Sequence, residues 1–232
     1  SSYNIVASNF IRRRLALAGV SEHNIKLIKL GINIDFLETF FKDGKKTLFP
    51  SLIYVGRLVE KKNPIALLKS FSIVLKKYPK AILNIIGDGP LKSDVLQFIK
   101  INKLENSVRV KGTLKPADVF TEMNSSWVYV QHCVTSSRGD QEGFSVSMLE
   151  AAFFKLPVVS TFHNGIPENV LHKRTGFLVN EFDYEKMADK ILILISDPQL
   201  ISKMGSMGRD RVLKSFRSSE RINNFISLLN KV

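Results

Sequence analysis

From residue 51 onward, short β-branched runs alternate with longer stretches in which apolar residues recur at helical spacing. This is the pattern of strand–helix units feeding a parallel sheet. Strands are predicted at residues 52–56, 82–86, 108–111, 128–131, 157–160 and 177–179. Their starts lie roughly 20 to 30 residues apart, room for a strand, a crossover helix and the next strand. After the first strand, Asn63 reads as a helix N-cap and Pro64 as the first helical residue. Ile65, Leu67, Leu68, Phe71, Val74 and Leu75 then share one apolar face until Pro79 ends the helix. Further helices are predicted over 90–102, 116–123, 144–154, 184–195 and 218–229, the last amphipathic through Ile222, Phe225, Ile226 and Leu229.

The first fifty residues read differently, with a strand at 5–8, a basic helix at 9–18 and a strand at 25–30 closed by Gly31. These elements are too few for a domain, and the polar stretch 42–47 reads as a boundary or hinge. The expected organisation is therefore 1–45 as the tail of a preceding domain plus a linker, and 46–232 as a doubly wound, Rossmann-like α/β domain. The opening Ser1-Ser2-Tyr3-Asn4 has no initiator Met and no signal-peptide pattern, as expected of a cut inside a longer chain.

Composition narrows the classes. In 232 residues, 44% hydrophobic content with 16 Phe is enough to build a core and argues against disorder despite a net charge of +13. No apolar run approaches the roughly 18 residues that span a bilayer. One cysteine, Cys133, and four His exclude an internal disulfide and a Cys-rich zinc site, which fits a cytoplasmic compartment. The basic clusters Arg12-Arg13-Arg14, Lys45-Lys46, Lys61-Lys62 and Lys76-Lys77 are short and separated, with no interleaved aromatics. A nucleic-acid partner is not expected. Solvated faces, or attraction to an anionic partner such as a membrane surface or a phosphate-bearing ligand, are the better readings.

In an open parallel sheet, ligands bind beyond the carboxyl ends of the strands. Arg57 follows the first strand, and Lys62 precedes the Asn63 cap, beside the positive pole of a helix. Two cations and free backbone donors there suit a diphosphate, unless Arg57 is taken up by Glu60. Gly87-Asp88-Gly89-Pro90 is a glycine turn after the second strand, and neither a nicotinamide fingerprint nor a Walker loop is present. Glu142 precedes, and Glu150 lies within, a helix apolar on nearly all sides. With its first turn spanning Gly143 to Val146, an anion placed there would have Glu142 on one side and, roughly 9 Å along the axis at 1.5 Å per residue, Glu150 on the other. His132, Cys133 and His163 read as packed or solvated residues, and Asn124-Ser125-Ser126 as a chance sequon.

Together, Gly56-Arg57-Leu58-Val59-Glu60-Lys61-Lys62, Gly87-Asp88-Gly89-Pro90, Glu142-x7-Glu150 and Gly165-Ile166-Pro167-Glu168 resemble the C-terminal, donor-binding domain of retaining GT-B glycosyltransferases of family four. Val134-Thr135 followed by Gly139-Asp140-Gln141-Glu142-Gly143 is most similar to the bacterial exopolysaccharide enzymes of colanic-acid and amylovoran type. The resemblance implies a UDP-sugar or GDP-sugar donor, no cofactor or metal, and a glycan or lipid-linked acceptor. It assigns Arg57 and Lys62 to the leaving diphosphate and Glu142 to the transferred sugar. Gly143, Phe144, Ser145 and Val146 would give donors to sugar and phosphate, with Gly87 and Gly89 lining the site. Glu150 would take the ribose, and Lys111-Gly112-Thr113 would pass near the base. His132-Cys133 stand where Pro-Ser is expected, Asn33 where Asp is common, and Ser145 where Gly or Pro is frequent. Two other readings stay open: a GT-B sugar-nucleotide epimerase, and a binding module without catalysis. Residues 1–232 alone are expected to bind a nucleotide without transferring sugar.

Overall fold

The computed structural model describes residues 3–44 and 46–230. Near its start, β1 (Asn4–Val6), α1 (Asn9–Leu17) and β2 (Ile25–Leu27) form a unit whose strands pair in parallel over three residues each. Both strands are shorter than predicted, because each has only the other to pair with. α2 (Ile34–Glu38) was not anticipated. Asn33 caps it by accepting the Phe36 amide at 3.1 Å, and Ile34 and Leu37 enter the core of the main body. The chain thus packs on that body from Ile32, ahead of the stretch 42–47 read as a boundary. Lys45 of that stretch and of the Lys45-Lys46 cluster, like Ser1 and Ser2, lies outside the described residues.

The main sheet comprises β3 (Ser51–Val55), β4 (Ile82–Ile86), β5 (Val108–Gly112), β6 (Val128–Val130), β7 (Val158–Thr161) and β8 (Gly176–Val179). All are parallel, in the order β5-β4-β3-β6-β7-β8. β3 is central and covered on both faces, so Leu52 and Tyr54 pack into one core and Ile53 into the other. On the first face lie α3 (Pro64–Lys77), α4 (Lys92–Ile101) and α8 (Tyr184–Ile195), anchored by Leu67, Phe71, Val95, Met187 and Ile191. On the second lie α5 (Pro116–Ser125), α6 (Val146–Phe153) and α9 (Pro198–Ser215), through Phe120, Met148, Phe153 and Val212. Each such side chain contributes roughly 1.5–3 kcal/mol of burial. A short α7 (Ile166–Asn169) follows β7, and α10 (Ser218–Leu229) ends the described chain.

α6 begins at Val146, two residues later than predicted, leaving Gly143 to Ser145 outside the helix. The apolar face of α10 through Ile222, Phe225, Ile226 and Leu229 is exposed, and none of its residues is buried. No helix among the described residues is long and apolar enough to cross a membrane. The strand order reverses between β3 and β6, so the crevice for a ligand opens at Val55 and Val130.

Candidate functional site

The loop after β3 is held by its neighbours. Tyr54 donates its hydroxyl to the Arg57 carbonyl at 2.8 Å, and the Leu58 amide donates to the Asp88 carbonyl at 2.9 Å. A Cβ on Gly87 would lie 1.9 Å from the Gly56 carbonyl oxygen, and one on Gly89 2.5 Å from that of Leu58. Their amides are spent internally, Gly87 on the Gly112 carbonyl and Gly89 on Asp88 Oδ1. The glycines of the Gly-Asp-Gly-Pro turn therefore support the arginine loop by close approach rather than offering donors to a ligand. Lys111 pairs with Glu122, so its side chain is not directed to a base, while Thr113 is exposed.

A short 3₁₀ turn, Glu60–Lys62, leads to Asn63 in the left-handed region at φ 37. Asn63 caps α3 by accepting the Ala66 amide at 3.1 Å, which offsets the strain of that conformation. The turn sends Lys62 inward: its Nζ lies 2.6 Å from Glu142 Oε2 and 3.0 Å from Gln131 Oε1. The family resemblance assigns lysine and glutamate to different parts of the ligand, and the fold brings them into one largely buried ion pair. Arg57 is exposed and has no ion-pair partner among the described residues. Its anticipated rival partner, Glu60, instead accepts from the Ser137 amide at 2.6 Å and the Ser137 hydroxyl at 2.8 Å.

Glu142 is set from behind. Its amide donates to His163 Nε2 at 2.9 Å, which puts the ring proton on Nδ1, 2.6 Å from Glu181 Oε1. Glu181 Oε2 in turn accepts the Thr135 amide at 2.9 Å. A Cβ on Gly165 would lie 1.7 Å from the Gly143 carbonyl oxygen, so α7 and the glutamate loop touch backbone to backbone. The Ser145 amide donates to Asn169 Oδ1 at 3.1 Å, and Asn169 Nδ2 returns a bond to the Ser145 carbonyl. Ser145 is thus corrected as a backbone donor to a ligand. Ser145 also makes no side-chain cap, so the first-turn amides of α6, Val146 among them, are unspent by it. The Phe144 ring packs inward against Phe216.

The Glu150 carboxylate makes no hydrogen bond among the described residues, and burial pushes its carboxyl above the ordinary range. With Gly31, Asn33, Phe36, Phe120 and Val146 it lines a cavity of about 270 Å³. The N-terminal unit reaches the same region: Arg14 Nη1 donates to Gln141 Oε1 at 2.7 Å, and Glu168 accepts from Asn9 Nδ2 and the Phe10 amide, each at 3.1 Å. His132 is buried beside Met187, with its pKa pushed down to about 4, and the Cys133 thiol is pushed up to about 12 by burial. Asn124 of the sequon is buried and tied to the Lys42 backbone. Sequence reasoning passes over Gln131 and reads His163 only as a packed or solvated residue. The signal available was their place just past β6 and β7, where polar side chains interrupt apolar runs.

The doubly wound parallel sheet flanked by helices matches the Rossmann-like fold of GT-B glycosyltransferase structures. The structure of Anabaena Alr3699/HepE in complex with UDP and glucose superposes on 100% of this chain and 64% of that one, at a TM-score of 0.84 and 21% identity. Residues 35–211 match the family described as Glycosyl transferases group 1, and the chain belongs to that family. The capsular polysaccharide biosynthesis glycosyltransferase CapM of Staphylococcus aureus is 28% identical over 222 residues, 93% of this chain and 55% of that protein. The amylovoran biosynthesis glycosyltransferase AmsK of Erwinia amylovora is 27% identical over 187 residues, 81% of this chain and 46% of that one. The chain spans about half the length of these relatives.

Proposed function

We propose that this chain is the donor-binding part of a glycosyltransferase that moves a sugar from a UDP- or GDP-sugar, with retention, to a glycan or lipid-linked acceptor. The observation that carries this reading is the buried Lys62–Glu142 pair at 2.6 Å, lying at the switch point with exposed Arg57 in the preceding loop. Lys62 and Arg57 neutralise the leaving diphosphate, a role that protein cations fill without a metal. Glu142 keeps one carboxylate oxygen free of hydrogen bonds among the described residues. That oxygen holds sugar hydroxyls and stabilises positive charge developing at the anomeric carbon. Glu150, half-buried and with its carboxylate unpaired, takes the ribose hydroxyls, and the Val146 end of α6 takes phosphate oxygens.

CapM and AmsK are named for polysaccharide biosynthesis, which favours a polymer or its lipid-linked precursor as acceptor. The scattered lysines of a +13 chain suit a cytoplasmic site peripheral to an anionic inner membrane face. Sugar transfer to an added acceptor, measured on a protein of the relatives' full length, tests the proposal. Transfer is the expected result. Interconversion of nucleotide sugars without transfer identifies an epimerase, and donor binding with neither reaction identifies a binding module.

A further inference from the structure

Gln131 follows β6 directly and sits at the point where the sheet reverses direction. It is wholly buried, and every polar atom it carries has a partner. Its amide donates to the Val159 carbonyl at 3.1 Å, and its own carbonyl accepts the Ser160 hydroxyl at 2.7 Å. In the side chain, Nε2 lies 3.2 Å from the Val55 carbonyl and 3.3 Å from the Tyr129 hydroxyl. A backbone carbonyl can only accept, so the amide nitrogen must face it and Oε1 must face the other way. That oxygen accepts from Lys62 Nζ at 3.0 Å and from Cys133 Sγ at 3.4 Å.

A lysine ammonium is a point charge on four rotatable bonds, and its position is defined only by what its three protons meet. Two acceptors, Gln131 Oε1 and Glu142 Oε2, account for two of those protons. Tyr129 also meets Ser147 Oγ at 2.7 Å, so the same buried chain runs from β3 through β6 to the first turn of α6.

We propose that Gln131 is a positioning residue: its amide, locked by Val55 and Tyr129, fixes the Lys62 ammonium so that one N–H remains for an anionic oxygen of the ligand. The identity of that ligand rests on the donor-site reading above, whereas the locking of Lys62 does not. Gln131 touches no ligand itself and acts through Lys62.

Two variants separate the parts of the side chain. Gln131→Met keeps the volume and removes both the acceptor and the donor. Gln131→Glu keeps an oxygen for Lys62 but loses the donor to Val55 and Tyr129. Nitrogen-detected NMR of the slowly exchanging Lys62 ammonium, assigned by its loss in Lys62→Met, reads the lock without nucleotide. The signal is expected in the wild-type chain and in Gln131→Glu, and lost by fast exchange in Gln131→Met. A signal unchanged in Gln131→Met overturns the proposal, whereas loss in Gln131→Glu as well as in Gln131→Met shows that the donors to Val55 and Tyr129 are needed to hold the oxygen on Lys62.

Titration with UDP and with uridine supplies the functional reading. Gln131→Met is expected to weaken UDP about tenfold while leaving uridine unchanged, and to add nothing further in a Lys62→Met background. Equal losses for UDP and uridine would mark a purely structural role and overturn the proposal. A wild-type chain with no preference for UDP over uridine, nor for GDP over guanosine, would overturn the donor-site reading alone, leaving the ammonium signal to decide on Gln131.

Discussion

A carboxylate partly withdrawn from water without a partner disfavours its own charge, and Glu150 is in that state. Its raised pKa means that the free protein loses stability as pH rises from the ordinary Glu value through the folded one, since ionisation is harder in the fold. Glu150→Gln should therefore raise the thermal midpoint of the free chain above that window and leave it unchanged well below. If ribose hydroxyls donate to Glu150, the nucleotide binds the ionised form, so affinity should rise with pH across the same window in wild type and stay flat in Glu150→Gln. Calorimetry over a pH series checks both signs. If Glu142 opposes charge that forms only in the transition state, Glu142→Gln should behave differently in a protein of full length, lowering turnover far more than donor affinity. Steady-state kinetics paired with nucleotide titration reads that split. Arg57 and Lys62 are singled out by the strand-end rule, and Glu142 and Glu150 by the family resemblance; of these the fold brings Lys62 and Glu142 together. Gln131 and His163 are not singled out, since their importance lies in contacts with Lys62 and Glu142 across more than twenty residues of sequence, which no local pattern encodes.

Among the elements, the six strands and the helix opened by Asn63 and Pro64 were read closely, because a buried parallel strand is a continuous apolar run bounded by loops. α9 was missed although Asp197 and Pro198 mark its start, with Asp197 Oδ1 accepting the Leu200 amide at 2.9 Å. Its glycines weaken a helical reading. In the fold they permit contact: a Cβ on Gly205 would lie 2.1 Å from the Lys155 carbonyl oxygen, and one on Gly208 3.4 Å from Ala152 Cβ. The same logic makes Gly165 a sensitive joint between α7 and the Glu142 loop. Gly165→Ala should cost about 1–3 kcal/mol of stability, as overpacking does, and displace Gly143 and Glu142 together. Denaturant unfolding and nucleotide-sugar titration should both register the change. By contrast, Phe225→Ser on the exposed face of α10 should shift unfolding by less than about 0.5 kcal/mol, the usual range for surface sites. A loss of several kcal/mol there would mean that the face is covered in solution.

At the scale of the whole molecule, charge and site point to anionic partners. Lysines spread over many elements give weak, salt-sensitive attraction, so sedimentation with anionic vesicles should exceed that with neutral ones at low salt and vanish near 0.5 M salt, where the Debye length falls to about 4 Å. Equal sedimentation with both vesicle types would remove the membrane part of the account. In the proposed donor site, Arg57 and Lys62 hold a diphosphate at the sheet's switch point. Calorimetry of the chain with UDP and GDP, against uridine and guanosine, measures this directly in the wild type, Arg57→Ala and Lys62→Ala. Each substitution should weaken the diphosphate that binds by about 1–3 kcal/mol, the range for hydrogen bonds to charged groups, and leave the nucleoside nearly unchanged. Equal losses for nucleoside and diphosphate, or none for either, would contradict the assignment.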